Sequence, residues 1–173
     1  WQPHTDSRIE QALGQWQPDL IGTLVFVLQE EHVLLIEKKT GHGAGRINGP
    51  GGKLETSESP EQCARRELHE ELQVSVNTLT AAARLRFIDR SGPQWLGHVF
   101  IASGLLGIPT ETPEAQPLWA PVEALPWPRM WPDDRIWLPL VLAGQCLVGD
   151  FLLDGDRLLG HRWQPVSGSE LAP

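Results

Sequence analysis

Glu67, Glu70 and Glu71 are the side chains whose types and spacing best suit chemistry. On a helix of about 3.6 residues per turn they fall within an arc of about 100°. One turn earlier the same face carries Cys63 and Ala64, both small. Helical side chains lean toward the N-terminus, so the three carboxylates overhang the space that the small residues leave. Leu68 and Leu72 lie on the adjoining stripe and are expected to face the core, which puts the carboxylates at its edge. Like charges held this close cost roughly 0.2–0.5 kcal/mol per pair even on an exposed helix, and more where solvent is excluded. A divalent cation removes that penalty. An all-oxygen ligand set, with no cysteine or suitably spaced histidine, favours Mg²⁺, with Mn²⁺ as a substitute, over zinc. A bare acidic stripe also reads as a solvated helix face, so the flanking residues decide between the two.

A helix must carry these residues, and its start is well marked. Ser59 is placed as N-cap, Pro60 at the first helical position and Gln62 as the partner in a capping box, with the helix running to about Leu72. Ahead of it, Gly41–Gly52 holds six glycines in twelve residues, a loop shaped for close backbone approach. Before that loop, Ile21–Gln29 and His32–Lys39 are apolar and β-branched and read as a hairpin buried on both faces. Strands are expected at Val74–Asn77, Ala83–Ile88 and His98–Ser103. Six prolines in Gly107–Arg129 predict mostly irregular chain, with a short strand near Leu118–Ala120. Asp133 or Asp134 is placed to cap a second helix ending near Gly144 and kinked at Pro139. Phe151–Leu153 and Leu158–Trp163 read as a closing hairpin around Asp154-Gly155. The pattern is that of one mixed α/β domain spanning residues 20–167, preceded by a loose extension (1–19) and followed by a short tail (168–173).

Bulk properties narrow the partners. The chain has 173 residues, enough for a single core, and a net charge of −8. No basic stripe is visible, which argues against a nucleic-acid polymer as ligand. A small anion remains possible where metal ions neutralise it. No apolar run approaches the ~20 residues of a membrane span. The opening residues lack the apolar stretch of a signal peptide. Two cysteines, Cys63 and Cys146, give neither a disulfide framework nor zinc spacing, so a cytoplasmic location is expected. Eight tryptophans and no tyrosine hint at stacking surfaces. The oligomeric state is open, a monomer being sufficient.

Two competing motifs fail. A P-loop needs glycine where Ile47 stands and Ser or Thr where Leu54 stands, and a zinc-protease HExxH beginning at His69 lacks its second histidine. Gly52, Glu58, Arg66, Glu67, Leu68, Glu70, Glu71 and Val74 instead fit Gly-x5-Glu-x7-Arg-Glu-Leu-x-Glu-Glu-x-x-Val. This segment resembles the Nudix box. The resemblance implies an α/β/α sandwich with a mixed sheet, and hydrolysis of a nucleoside diphosphate linked to another group. It also implies that Glu67, Glu70 and Glu71, together with Gly52, hold the catalytic cation. Arg66 orients the glutamates, and a carboxylate positions or deprotonates water. Lys53 and the amides of Gly51 and Gly52 are candidates to hold phosphate oxygens. Gln73 departs from the pattern, standing where the family has a helix-stopping glycine, and should carry backbone strain of ~1 kcal/mol.

From Gly22 to Trp163 the chain is most similar to the Nudix group that hydrolyses oxidised purine nucleoside triphosphates such as 8-oxo-dGTP and 2-hydroxy-dATP. Thr23–Gln29, Gly43–Gly52 and Met130–Asp134 carry the likeness. By that likeness Asn48, Asp133 and Asp134 hydrogen-bond the base edge, Trp131 stacks on it, Thr23 lines the pocket and Glu114 adds a metal or base carboxylate. Two adjacent carboxyls in an apolar pocket repel, so one is expected to keep its proton and the pair to offer donor and acceptor together. His42 stands where the group has phenylalanine, and Arg86 or a neighbour where it has an apolar lining residue. The alternatives are another Nudix substrate (a canonical dNTP, a dinucleoside polyphosphate or a nucleotide sugar) and a catalytically silent nucleotide-binding module. The silent module is disfavoured because every box glutamate is kept.

Overall fold

The computed structural model describes residues 7–172. Among them are β1 (Leu20–Gln29), β2 (His32–Lys38), β3 (Ile47–Asn48), β4 (Gly51–Lys53), β5 (Ser75–Asp89), β6 (Trp95–Leu106), β7 (Ala115–Pro121), β8 (Leu147–Asp154) and β9 (Arg157–Pro165). The helices are α1 (Ser7–Leu13), α2 (Pro60–Leu72) and α3 (Asp134–Leu142). The strands form one sheet in the order β3-β2-β1-β6-β5-β8-β9, with β4 on β1 and β7 on β2. β1 runs parallel to β6 and β5 parallel to β8, while the other pairs are antiparallel, so the sheet is mixed.

Side chains alternate across a strand, and here both faces are covered. Val25, Val27, Leu34 and Ile36 pack with Ala64, Leu68 and Leu72 of α2. Phe26, Val33 and Leu35 pack on the other face with Trp137, Leu138 and Val141 of α3. The result is the expected α/β/α sandwich. β1 changes partner along its length, pairing with β4 at residues 22–24 and with β2 at residues 27–29. That fork brings the glycine loop beside the start of α2.

α2 begins as its sequence predicts. The Ser59 side chain accepts from Gln62 N (3.1 Å), and the Gln62 side chain accepts from Ser59 N (2.9 Å). It ends at Gln73 in the left-handed region, φ 60° and ψ 35°, with Gln73 N donating to His69 O. Glycine adopts that conformation without the Cβ penalty. Gln73→Gly is therefore expected to stabilise the fold by about 0.5–1 kcal/mol, read as a Tm increase of a few degrees at most.

Several expectations need correction. The two strands predicted at Val74–Asn77 and Ala83–Ile88 are one long strand, β5, interrupted by a bulge between Ala81 and Ala83. β7 is longer than predicted, because it pairs with β2 alone and an edge tolerates Pro117 and Pro121. Asp133 occupies the position before α3, but its side chain makes no capping bond. The β8–β9 turn sits at Gly155-Asp156, one residue later than read. The segment expected to be a loose extension contains α1, whose fully buried Ile9 packs with Ile88 and Leu152. Residues 1–6 of that expectation, and Pro173 of the tail, lie outside the described residues. No helix among the described residues is long and apolar enough to cross a membrane.

Candidate active site

Ligand oxygens of Glu67, Glu70 and Glu114 lie within 4.8 Å of one another. Two come from one face of α2. The third arrives from the residue before β7, a segment tied to the end of α2 by Thr112, whose hydroxyl donates to Glu71 O (2.7 Å) and accepts from Glu114 N (3.3 Å). Glu71 lies outside that triad. It is 3% exposed and accepts from Gly51 N at 2.8 Å.

Arg66 organises the cluster. It holds Glu58 in a two-pronged pair (2.7 and 2.9 Å) and reaches Glu67 (2.9 Å), Glu70 (3.1 Å) and the Lys53 carbonyl (3.0 Å). The hydrogen bonds from Arg66 hold the Glu58 carboxyl down at about 2. Burial acts oppositely on the others. It raises Glu67 despite Arg66, and it pushes Glu71 up to about 8 despite the Gly51 amide, with the charge of Glu67 adding to the push. Several carboxyls are thus crowded together where ionisation is costly, and positive charge placed among them relieves that cost. The donors suit a hard divalent cation, being carboxylate oxygens of differing exposure. At Gly52 an added Cβ would meet the Glu67 carboxylate and displace it. At Gly51 an added Cβ would strike the Thr23 carbonyl.

Beside the carboxylates, where Gly51 and Gly52 meet Glu71 and Glu67, a pocket opens to solvent. Thr23, Asn48, Gly51, Gly52, Trp131, Asp133 and Asp134 line it, so the fold does bring these predicted residues together. Asp133 and Asp134 are 3% and 2% exposed. Each is held by a fixed donor: Trp137 Nε1 to Asp133 (2.8 Å) and the Trp131 amide to Asp134 (3.0 Å). Burial raises Asp133 to about 6. Asp134 is also raised well above its ordinary value, by burial first and then by the charge of Asp133. Two carboxyls this buried and this close disfavour double ionisation, so the pair suits one shared proton, a donor beside an acceptor. Asn48 Oδ1 accepts from Gly49 N (2.8 Å), which fixes the orientation of its amide.

Three placements differ from expectation. Lys53 is exposed on β4 and does not line the cavity. The Gly51 amide already has a partner, donating to Glu71 at 2.8 Å. Arg86 does not line the cavity either. It pairs with Asp150 (2.6 and 3.0 Å), and the neighbouring Phe87 supplies the apolar wall. His42 lines the cavity, stacked on Trp131 with ring centroids 5.1 Å apart, while the Arg46 guanidinium lies 4.1 Å from the Trp131 ring. Asp89, Pro93 and Trp95 complete the wall and were not legible as site residues. They sit at strand ends that converge only through β5–β6 pairing, which no local motif announces.

Known proteins resemble this chain in sequence and in fold. The profile of the NUDIX domain family matches residues 19–141. An oxidized purine nucleoside triphosphate hydrolase of Mus musculus is 41% identical over 146 residues, covering 83% of this chain and 94% of that protein. The protein of the same name from Danio rerio is 40% identical over the same shares. Among solved structures, a MutT protein from Bacillus halodurans superposes with a TM-score of 0.73 at 23% identity, over 84% of this chain and 97% of that one. A MutT NUDIX hydrolase from Burkholderia pseudomallei gives 0.64 at 29% identity, over 71% and 97%. With its box glutamates gathered on α2, its mixed sheet between two helical layers and these relatives, the chain belongs to the NUDIX domain family.

Proposed function

We propose that this chain is a magnesium-dependent pyrophosphohydrolase that converts oxidised purine nucleoside triphosphates, 8-oxo-dGTP among them, to monophosphate and pyrophosphate. The observation that carries the substrate class is the buried Asp133–Asp134 pair on the wall of a cavity adjoining the carboxylate cluster. A neutral acid beside a carboxylate matches a base edge that presents both an acceptor and a donor, and Asn48 adds one more of each. Mg²⁺, for which Mn²⁺ could substitute, would be held by Glu67, Glu70 and Glu114, with Glu71 and Gly52 as further candidates. When bound, it neutralises charge building on the phosphate oxygens and makes water more acidic. Arg66 keeps the glutamates in place, and one carboxylate of the cluster takes the proton from water as the phosphoanhydride opens. Trp131 stacks on the base and Thr23 closes the pocket beside it. Two unpaired cysteines suit a cytoplasmic setting.

The test is kcat/KM with Mg²⁺ for 8-oxo-dGTP, 2-hydroxy-dATP and the unmodified nucleotides, read by pyrophosphate release. A preference of at least tenfold for the oxidised purines is expected. Equal handling of 8-oxo-dGTP and dGTP removes the substrate reading. A second reading, another nucleotide at the same centre, draws on His42, whose ring makes the pocket more polar than the family's usual phenylalanine. The same screen decides it.

A further inference from the structure

Every polar atom of Gln94 is engaged, and its partners come from two stretches distant in sequence, residues 16–20 and 89–92. Its backbone N donates to Asp19 Oδ2 (2.8 Å), and its carbonyl accepts from Asp19 N (2.8 Å) and Leu20 N (3.0 Å). Its side-chain oxygen accepts from Trp16 Nε1 (2.8 Å) and Asp89 N (3.0 Å). Its side-chain nitrogen donates to Asp89 O (2.5 Å) and Gly92 O (3.2 Å). Antiparallel pairing of β5 with β6 stops at Phe87 opposite Trp95. In that register Asp89 would next face Pro93, which has no N–H to give the ladder. The primary amide of Gln94 takes over, accepting from Asp89 N–H and donating to Asp89 C=O as a backbone peptide would.

The residues so held are pocket wall. Asp89, Pro93 and Trp95 all line the cavity. The Asp89 carboxylate extends the tie to the opposite lip, accepting from Gly155 N (3.2 Å), and Gly155 lines the cavity as well. Trp16 stands outside the part of the chain that the family profile matches, on the arm that α1 anchors against Ile88 and Leu152. We infer that Gln94, braced by Trp16, is a positioning residue that fixes the outer wall of the cavity and thereby sets affinity for the nucleotide. The inference rests on the cavity being the nucleotide site. It assigns the N-terminal arm a role in binding that is separate from the carboxylate cluster on α2.

An intramolecular hydrogen bond shifts an equilibrium by roughly two- to tenfold. Gln94→Ala in the full chain is expected to raise KM for 8-oxo-dGTP about tenfold, with kcat within about twofold. Trp16→Phe, which removes one donor and keeps an aromatic ring, is expected to raise it about threefold. Support by the arm of the fold alone would lower Tm and the active fraction, hence apparent kcat, and leave KM where it was. That result in both variants overturns the inference. If Gln94→Ala does not fold, Trp16→Phe decides alone on the same criterion. The wild-type protein keeps the two failures apart. If it handles dGTP as well as 8-oxo-dGTP, the substrate reading falls, and Gln94 is then judged on the KM of whichever nucleotide is turned over.

Discussion

Replacing Glu70 with Gln is expected to lower kcat by 10²-fold or more while KM moves only a few-fold. Glu70 is well suited to this test because its side chain is 45% exposed and contributes no core packing, so the fold should survive the change. What is lost is one anionic oxygen from the group it forms with Glu67 and Glu114, and removal of a single electrostatic stabiliser of a transition state typically costs about 10²–10³-fold. Glu67→Gln should be at least as damaging to turnover and opposite in stability. Glu67 is 9% exposed, and burial disfavours its charge. An amide of the same shape carries no such penalty, so the metal-free variant should melt above the metal-free wild type. A catalytically silent module would show neither loss of turnover. Phosphate-release kinetics with thermal melts in the presence of EDTA check both halves.

The second large effect concerns selectivity. Asp133→Asn is expected to lower kcat/KM for 8-oxo-dGTP by roughly 10–100-fold, because a site built around a hydrogen-bonding group discriminates strongly when that group is changed. Activity on unmodified dGTP should change much less, so the preference collapses. Asp134→Asn leaves a neutral group where burial and the charge of Asp133 disfavour ionisation, and should cost less than about tenfold. Stability moves the other way. Both aspartates have folded-state values raised above the ordinary one, by burial. Below the unfolded value both states hold their protons and nothing is lost. As pH rises the unfolded chain ionises first, so stability falls through the window that ends, for Asp133, at about 6. Asp133→Asn removes that loss. Its ligand-free Tm should exceed the wild type's at pH 7.5 and converge with it near pH 4. Higher stability with poorer selectivity would mark the pair as kept for binding.

Much of this was legible in the sequence because its signals are local. The capping box, the proline at N1 and the spacing of the glutamates are written within fifteen residues of one helix; the structure reproduces the cap, while Glu114 in place of Glu71 joins Glu67 and Glu70. Buried pairs and loop residues carried by one segment, such as Asp133–Asp134 and Asn48, were reached only through family likeness. Residues brought in by distant pairing were not legible at all. Phe87 and Trp95 meet across a ladder of two strands, and Gln94 works by substituting for a backbone N–H that Pro93 lacks. α1 was also missed, since seven residues with one buried isoleucine give too short a period to stand out. The committed Gly51 amide shows a different limit: a glycine-rich loop announces close approach without saying to what, and here the partner is Glu71.

A crystal soaked with Mn²⁺ and the product 8-oxo-dGMP tests the central claim most directly, through the anomalous difference map. The expected result is a manganese peak among the oxygens of Glu67, Glu70 and Glu114, with the base edge against Asp133 and Asp134. A map with no manganese at those carboxylates, from protein that still hydrolyses the triphosphate, would contradict it.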